Sequence, residues 1–153
     1  MAMTDAELML SMNTRQSPSA ALLGMRIVEI DSAAGRVKMV FEPKPEFCNP
    51  MGNVQGGFVV AMLDDAAAYA AIIFSGERIA VPTIELKASF FGPAPASGTL
   101  YVEGRCLKLG KRVAFMEADM HDAQGKLLAR LSTSAIPMKM ADGARLVEGA
   151  QSV

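Results

Sequence analysis

Histidine is the scarcest chemical resource of this 153-residue chain, with His121 its only one. It stands in "HDAQGK", which reads as a hairpin turn between two strands and is a poor place for a catalytic base. Serine, cysteine and zinc hydrolases of the usual kinds need a histidine beside the nucleophile or on the metal, so no such constellation can be assembled here. Cysteine is nearly as rare. Cys48 and Cys106 are too few for a disulfide framework or a metal cluster and suit a reducing compartment. Neither charge sign is in excess: the formal net charge is −1, with 20% charged and 51% apolar residues, which argues against a nucleic-acid partner and for a soluble globular domain. No basic segment precedes an apolar one in "MAMTDAELMLSMNTRQ", so no signal peptide is expected and the expected location is cytoplasmic. No membrane span is expected either, because Asp64 and Asp65 interrupt the one long apolar run well short of the roughly twenty residues a span requires. Repeats and low-complexity tracts are absent. What remains is the length of one domain, residues 1–153, able to bury a real core.

Local signals divide the chain clearly. Thr4 and Glu7 have capping-box spacing, which predicts an N-terminal helix, and "SAALLG" after Pro18 predicts a short second one closed by Gly24. "MRIVEID" and "GRVKMVFEP" alternate in polarity around "SAAG", the pattern of a hairpin. Pro43, Pro45 and Pro50 then enforce a loop that continues neither strand nor helix. From Gly56 to about Phe74 the spacing predicts one long helix, apolar on almost every face and therefore central. "VPTIELKASFF", "TLYVEGRCLKLG", "KRVAFMEADMHD" and "KLLARLSTSAIPMKM" follow as four strands. Tight turns at "LGKR" and "DAQGK" pair the last three antiparallel in chain order. The polar tail after Met140 is expected to be loose. These elements predict an α+β layer in which an antiparallel sheet curls around one helix, with a core over about 22–138. Its edges and outer face need cover, which a second copy would supply, so at least a homodimer is expected.

The chemistry concentrates in "NPMGNVQGGFVVAMLDDAAAYAA". Gly56 and Gly57 stand where loop becomes helix, where the first N–H groups lack partners and carry the positive end of the dipole. Gly56 N–H is the favoured donor to a ligand carbonyl. Asp64 lies eight residues on, roughly 12 Å at about 1.5 Å per residue, too far for both to act on one carbonyl within one chain. Two such helices packed antiparallel across a dimer would bring one protomer's aspartate to the other's glycine. Adjacent helix residues point about 100° apart, so Asp64 and Asp65 cannot both face one site, and Asp65 is expected to be a surface or dimer-rim charge.

"NPMGNVQGG" followed by "FVVAMLDD" resembles the PaaI-like branch of the hotdog-fold acyl-CoA thioesterases, in which an asparagine loop precedes a His-Gly-Gly turn and an acid follows on the central helix. "VPTIELKASFFGPA", "LKLGKRVAF" and "GKLLARLSTS" are similar to that family's strands, so the likeness runs roughly from Leu22 to Met138. It implies the hotdog fold, an antiparallel sheet wrapped around one central helix. It implies hydrolysis of an acyl-CoA to free acid and CoA, with Asn49 and Gly56 polarising the thioester carbonyl. Asp64 of the partner subunit, with Thr83, would activate water or attack the carbonyl. Gln55 occupies the motif's histidine position, which the resemblance counts among the catalytic residues; it can donate a hydrogen bond to a carbonyl oxygen but cannot shuttle a proton. Beside Gly57, the resemblance implies that Lys108, Lys111 and Arg112 meet the CoA phosphates. No metal or cofactor is implied, and the unit is a homodimer or a homotetramer.

Blander readings stand beside these. Asp64 could be a structurally paired acid, Asn49 a turn residue, Gln55 a helix cap, Thr83 a plain strand residue and the basic trio a solvated hairpin end. Gln55 motivates a second function, a non-catalytic acyl-CoA or lipid-binding protein on the same fold. A hydratase or dehydratase acting on enoyl-CoA is the third, and it fits less well because His121 cannot pair with Asp64.

Overall fold

The computed structural model describes residues 3–141; all but Ala141 of the tail expected to be loose lies outside them. Helix α1 (Asp5–Thr14) opens with the capping box: the Thr4 hydroxyl accepts the Glu7 N–H and the Glu7 carboxylate accepts the Thr4 N–H. Helix α2 (Pro18–Leu22) is capped by Ser17, and Gly24 turns the chain at φ 65°. Strands β1 (Arg26–Asp31) and β2 (Arg36–Phe41) form the expected hairpin. The proline loop is not wholly irregular, since Pro45 starts a single 3-10 turn, Pro45–Phe47; the ring's fixed φ suits a first helical position. Helix α3 (Gly56–Ser75) follows and ends at Gly76 in the left-handed conformation.

Beyond α3 come β3 (Ile79–Ala80), β4 (Thr83–Phe90), β5 (Leu100–Leu109), β6 (Ala114–His121), β7 (Leu127–Ala135) and β8 (Met138–Lys139). The main sheet is antiparallel with the order β1-β2-β5-β6-β7-β4. The three-strand meander β5-β6-β7 follows chain order as expected. The segment read as one last strand is two, because Ile136 and Pro137 break it and β8 leaves to pair with β3 in a separate ribbon. The sheet wraps α3, the hotdog arrangement. By length and composition α3 resembles a membrane span, but it lies in the sheet's hollow with eight residues buried, four of them alanines. Those alanines let the helix sit close to the strands. Gly104 on β5 is the contact point, where a Cβ would fall on the Ala66 carbonyl.

The two sheet edges differ. Side chains from the N-terminal segment seal β1: Asn13 Nδ2 donates to the Ile27 carbonyl (2.9 Å) while its Oδ1 accepts the Ile27 N–H (2.8 Å), and Gln16 donates to the Met25 carbonyl (2.6 Å). Strand β4 lies at the other edge, paired on one side only, to β7. Leu86 and Phe90 lie opposite buried Thr133 and Ala129, which places them on the helix side, yet they are 38% and 53% exposed. The outer face carries exposed Tyr101 and Phe115 together with paired charges. Among those charges Asp119 accepts from Arg105 (3.0 Å) and from Arg130 (2.6 and 3.0 Å).

Candidate active site

The loop into α3 is organised by two carboxamides. Asn49 Oδ1 accepts the N–H groups of Met51 (3.0 Å) and Asn53 (3.1 Å), folding the segment into a turn. Gln55 caps α3, its Oε1 accepting the Gly57 N–H at 2.6 Å. A Cβ on Gly57 would stand 2.8 Å from that oxygen, so the second glycine leaves room for the cap. Gly56 is the first helical residue, and its N–H has no intrahelical acceptor. A cavity of about 390 Å³ opens beside Asn49 and Gly56, with Asn53, Val59, Phe90 and Phe91 among its walls. The Phe90 ring lies 3.3 Å from where a Cβ on Gly56 would be, so a side chain at that position would crowd the wall.

Two turns further along α3, Asp64 Oδ1 accepts the hydroxyl of Thr83, the first residue of β4, at 3.3 Å. Burial raises the Asp64 carboxyl above its ordinary value, and the Thr83 hydroxyl partly offsets this by favouring the carboxylate. Asp65 is no surface charge. Its Oδ2 is buried without a hydrogen-bond partner among the described residues. Burial, and next the neighbouring Asp64 charge, push this carboxyl up to about 6. The surface alternative fails because this flank of α3 is covered in the fold, which no local pattern around Asp65 shows.

The expected residues therefore form two groups. Asn49, Gln55, Gly56 and Gly57 gather at the loop–helix junction, while Asp64 and Thr83 meet elsewhere, and Asp64 does not line the cavity. Lys108, Lys111 and Arg112 are exposed on the β5–β6 hairpin, without an ion pair among the described residues. Asn53, Phe90 and Phe91 are cavity walls that sequence reasoning missed; the signal for the two rings was the "FFG" at the end of β4, and Asn53 lay within the motif loop itself. Among the described residues no three His, Cys, Asp or Glu side chains are grouped to hold a metal.

The profile of the Thioesterase superfamily matches residues 51–129, a span holding Gly56, Asp64 and Thr83. The chain belongs to the thioesterase superfamily. Human acyl-coenzyme A thioesterase 13 is 24% identical over 106 residues, which are 69% of this chain and 75% of the human protein. The crystal structure of a candidate thioesterase from Ralstonia eutropha, related to phenylacetic acid degradation, superposes with a TM-score of 0.71 at 31% identity, covering 76% of this chain and 87% of that one. The Escherichia coli PaaI protein from the phenylacetic acid degradation operon shares the fold, with a TM-score of 0.69 at 22% identity over 77% of this chain and 86% of its own. The resemblance to the PaaI-like branch holds for this thioesterase-family chain, and thioester hydrolysis is the activity its relatives support.

Proposed function

We propose that this protein hydrolyses acyl-CoA thioesters at a site made by two copies of the chain. The observation that carries this reading is the separation of the two halves. The Asn49–Gly56 clamp opens on the cavity, whereas the Asp64–Thr83 pair sits roughly 12 Å further along the same helix. An antiparallel second α3 closes that gap. Because β1 is sealed and β4 is open and apolar on its helix side, β4 is the edge where the second copy pairs.

In this mechanism the Gly56 N–H and Asn49 hold the thioester carbonyl oxygen as negative charge develops on it. The partner's Asp64 takes a proton from water as the water oxygen bonds to the carbonyl carbon. Collapse of the adduct expels the CoA thiolate, which recovers the proton, leaving a free acid and a thiol. The raised Asp64 carboxyl suits a base working nearer neutrality, with Thr83 orienting it. The exposed Lys108, Lys111 and Arg112 supply cations for the CoA phosphates.

The test is thiol release from short, medium, long and aryl acyl-CoAs, with Asp64→Asn alongside. Turnover that falls at least about a hundred-fold in the variant supports the reading. Wild-type silence across the panel, with thermal stabilisation by the same acyl-CoAs, would make this a binding protein instead.

A further inference from the structure

The cavity beside Asn49 and Gly56 is apolar over most of its walls, with Val59, Phe90, Phe91 and Ala129 among them, and no Asp or Glu lines it. Its polar side chains are two carboxamides. Asn49 commits its oxygen to the Met51 and Asn53 N–H groups. Asn53 is tied down only through its backbone: its N–H makes that 3.1 Å bond to Asn49, its carbonyl accepts the Asn49 N–H at 2.7 Å, and it bridges to Pro95. Its half-buried carboxamide has no hydrogen-bond partner among the described residues. A polar group held in an apolar wall is costly unless something bonds to it.

A cation stands at the same wall. Lys126 lies across Gly92, a cavity residue, its Nζ and Cε 3.6 and 3.7 Å from where a Cβ on that glycine would be. The turn that carries it is pinned, because Asp122 Oδ1 accepts the N–H groups of Gln124 and Lys126, each at 2.9 Å. The ammonium is exposed and in no ion pair among the described residues. The two-copy site does not need it for the CoA phosphates. Strand β6 has eight residues and sets the β5–β6 and β6–β7 turns roughly 26 Å apart, at about 3.3 Å per residue. Phe90, against Gly56, pairs with Ala129 near the Lys126 turn, whereas Thr83 pairs with Ala135, which pairs with Ala114 at the far end. A partner that brings its Asp64 and Thr83 to this clamp therefore brings its Lys108, Lys111 and Arg112 as well, and Lys126 is left to the acyl side.

We propose that Asn53 and Lys126 bind a carboxylate at the far end of the acyl group, so that the substrate is the CoA monothioester of a short dicarboxylic acid. This rests on the hydrolase reading above and adds its substrate class. The Asn53 NH2 group donates to a carboxylate oxygen, and Lys126 balances the charge. Asn49 and Asn53 face each other across the loop, and Cα atoms of such opposed residues stand roughly 5 Å apart. A thioester carbonyl at Asn49 and a carboxylate at Asn53 are thus only a few bonds from each other, which sets the acid's length as short. A hydrocarbon chain of that length leaves the carboxamide unbonded, and the site discriminates against it.

Glutaryl-CoA and valeryl-CoA test this, since they share the CoA and the carbon count and differ only at the chain end. Wild-type kcat/KM should be at least about tenfold higher for glutaryl-CoA. Asn53→Ala should remove most of that preference while keeping valeryl-CoA turnover within about threefold of wild type. Lys126→Gln, a change at an exposed side chain that leaves the fold intact, should cut the preference by roughly three- to tenfold through KM, and added salt should shrink it in the wild type. An equal loss on both substrates in Asn53→Ala would assign that amide to the shared CoA portion and overturn the proposal. So would a wild type that prefers valeryl-CoA, or a preference that Lys126→Gln does not move. In each of these cases turnover of valeryl-CoA leaves the hydrolase reading standing. Absence of turnover on both, and on every other acyl-CoA, removes both readings.

Discussion

Asp64 and Asp65 are chain neighbours in opposite circumstances. Asp64 has a hydroxyl to accept from; Asp65 has a buried oxygen with no hydrogen-bond partner among the described residues. The folded Asp65 carboxyl, at about 6, lies above its ordinary 3.8, so the native state holds its proton where the unfolded chain has released it. Stability therefore falls as pH rises from about 4 to about 6 and stays lower above that, by at most about 3 kcal/mol. Asp65→Asn removes this penalty. The variant is expected to match the wild type in thermal unfolding at pH 4 or below and to be the more stable by about 1–3 kcal/mol at pH 8; a gap that does not widen with pH would refute the assignment. The sequence placed both acids on α3 and separated their directions correctly, since that follows from helix geometry alone. Which flank is covered depends on packing from elsewhere in the chain, and no local pattern carries it.

Among the elements, α1 has a task that its own sequence hides. No residue of α1 is buried, yet its Asn13 side chain supplies β1 with the two hydrogen bonds that a neighbouring strand would have given. Asn13→Ala should cost about 1–2 kcal/mol and speed amide exchange at Ile27, read by hydrogen-exchange NMR or mass spectrometry; unchanged protection at Ile27 would mean that the seal is incidental. Helix α3 was legible from Gly56 to within a residue or so of its end, because a long alanine-rich apolar run closed by glycine permits little else. The place of β4 was not legible. It follows α3 in the chain but pairs with β7, the last strand of the main sheet, and a partner so distant in sequence is chosen by the closing of the sheet around α3.

For the whole molecule, the two half-sites and the one open edge make a single prediction. In a mixture of Asn49→Ala and Asp64→Asn chains, a mixed dimer has one site with both halves intact and one with neither, so activity should return to about half the wild-type rate per mixed dimer. If each site lay within one chain, every site in the mixture would be broken and no activity would return. Titrating one inactive variant into the other and following thiol release distinguishes the two. The sequence by itself determined the family motif, the central helix, the meander and the spacing from Gly56 to Asp64, because each is written in local periodicity or in fixed helix rise. Tertiary structure alone decided that Thr83 donates to Asp64 of its own chain, that Phe90 walls the cavity beside Gly56, and that β4 rather than β1 is the open edge. These depend on contacts between segments far apart in the chain, and such contacts are fixed only when the sheet closes on the helix.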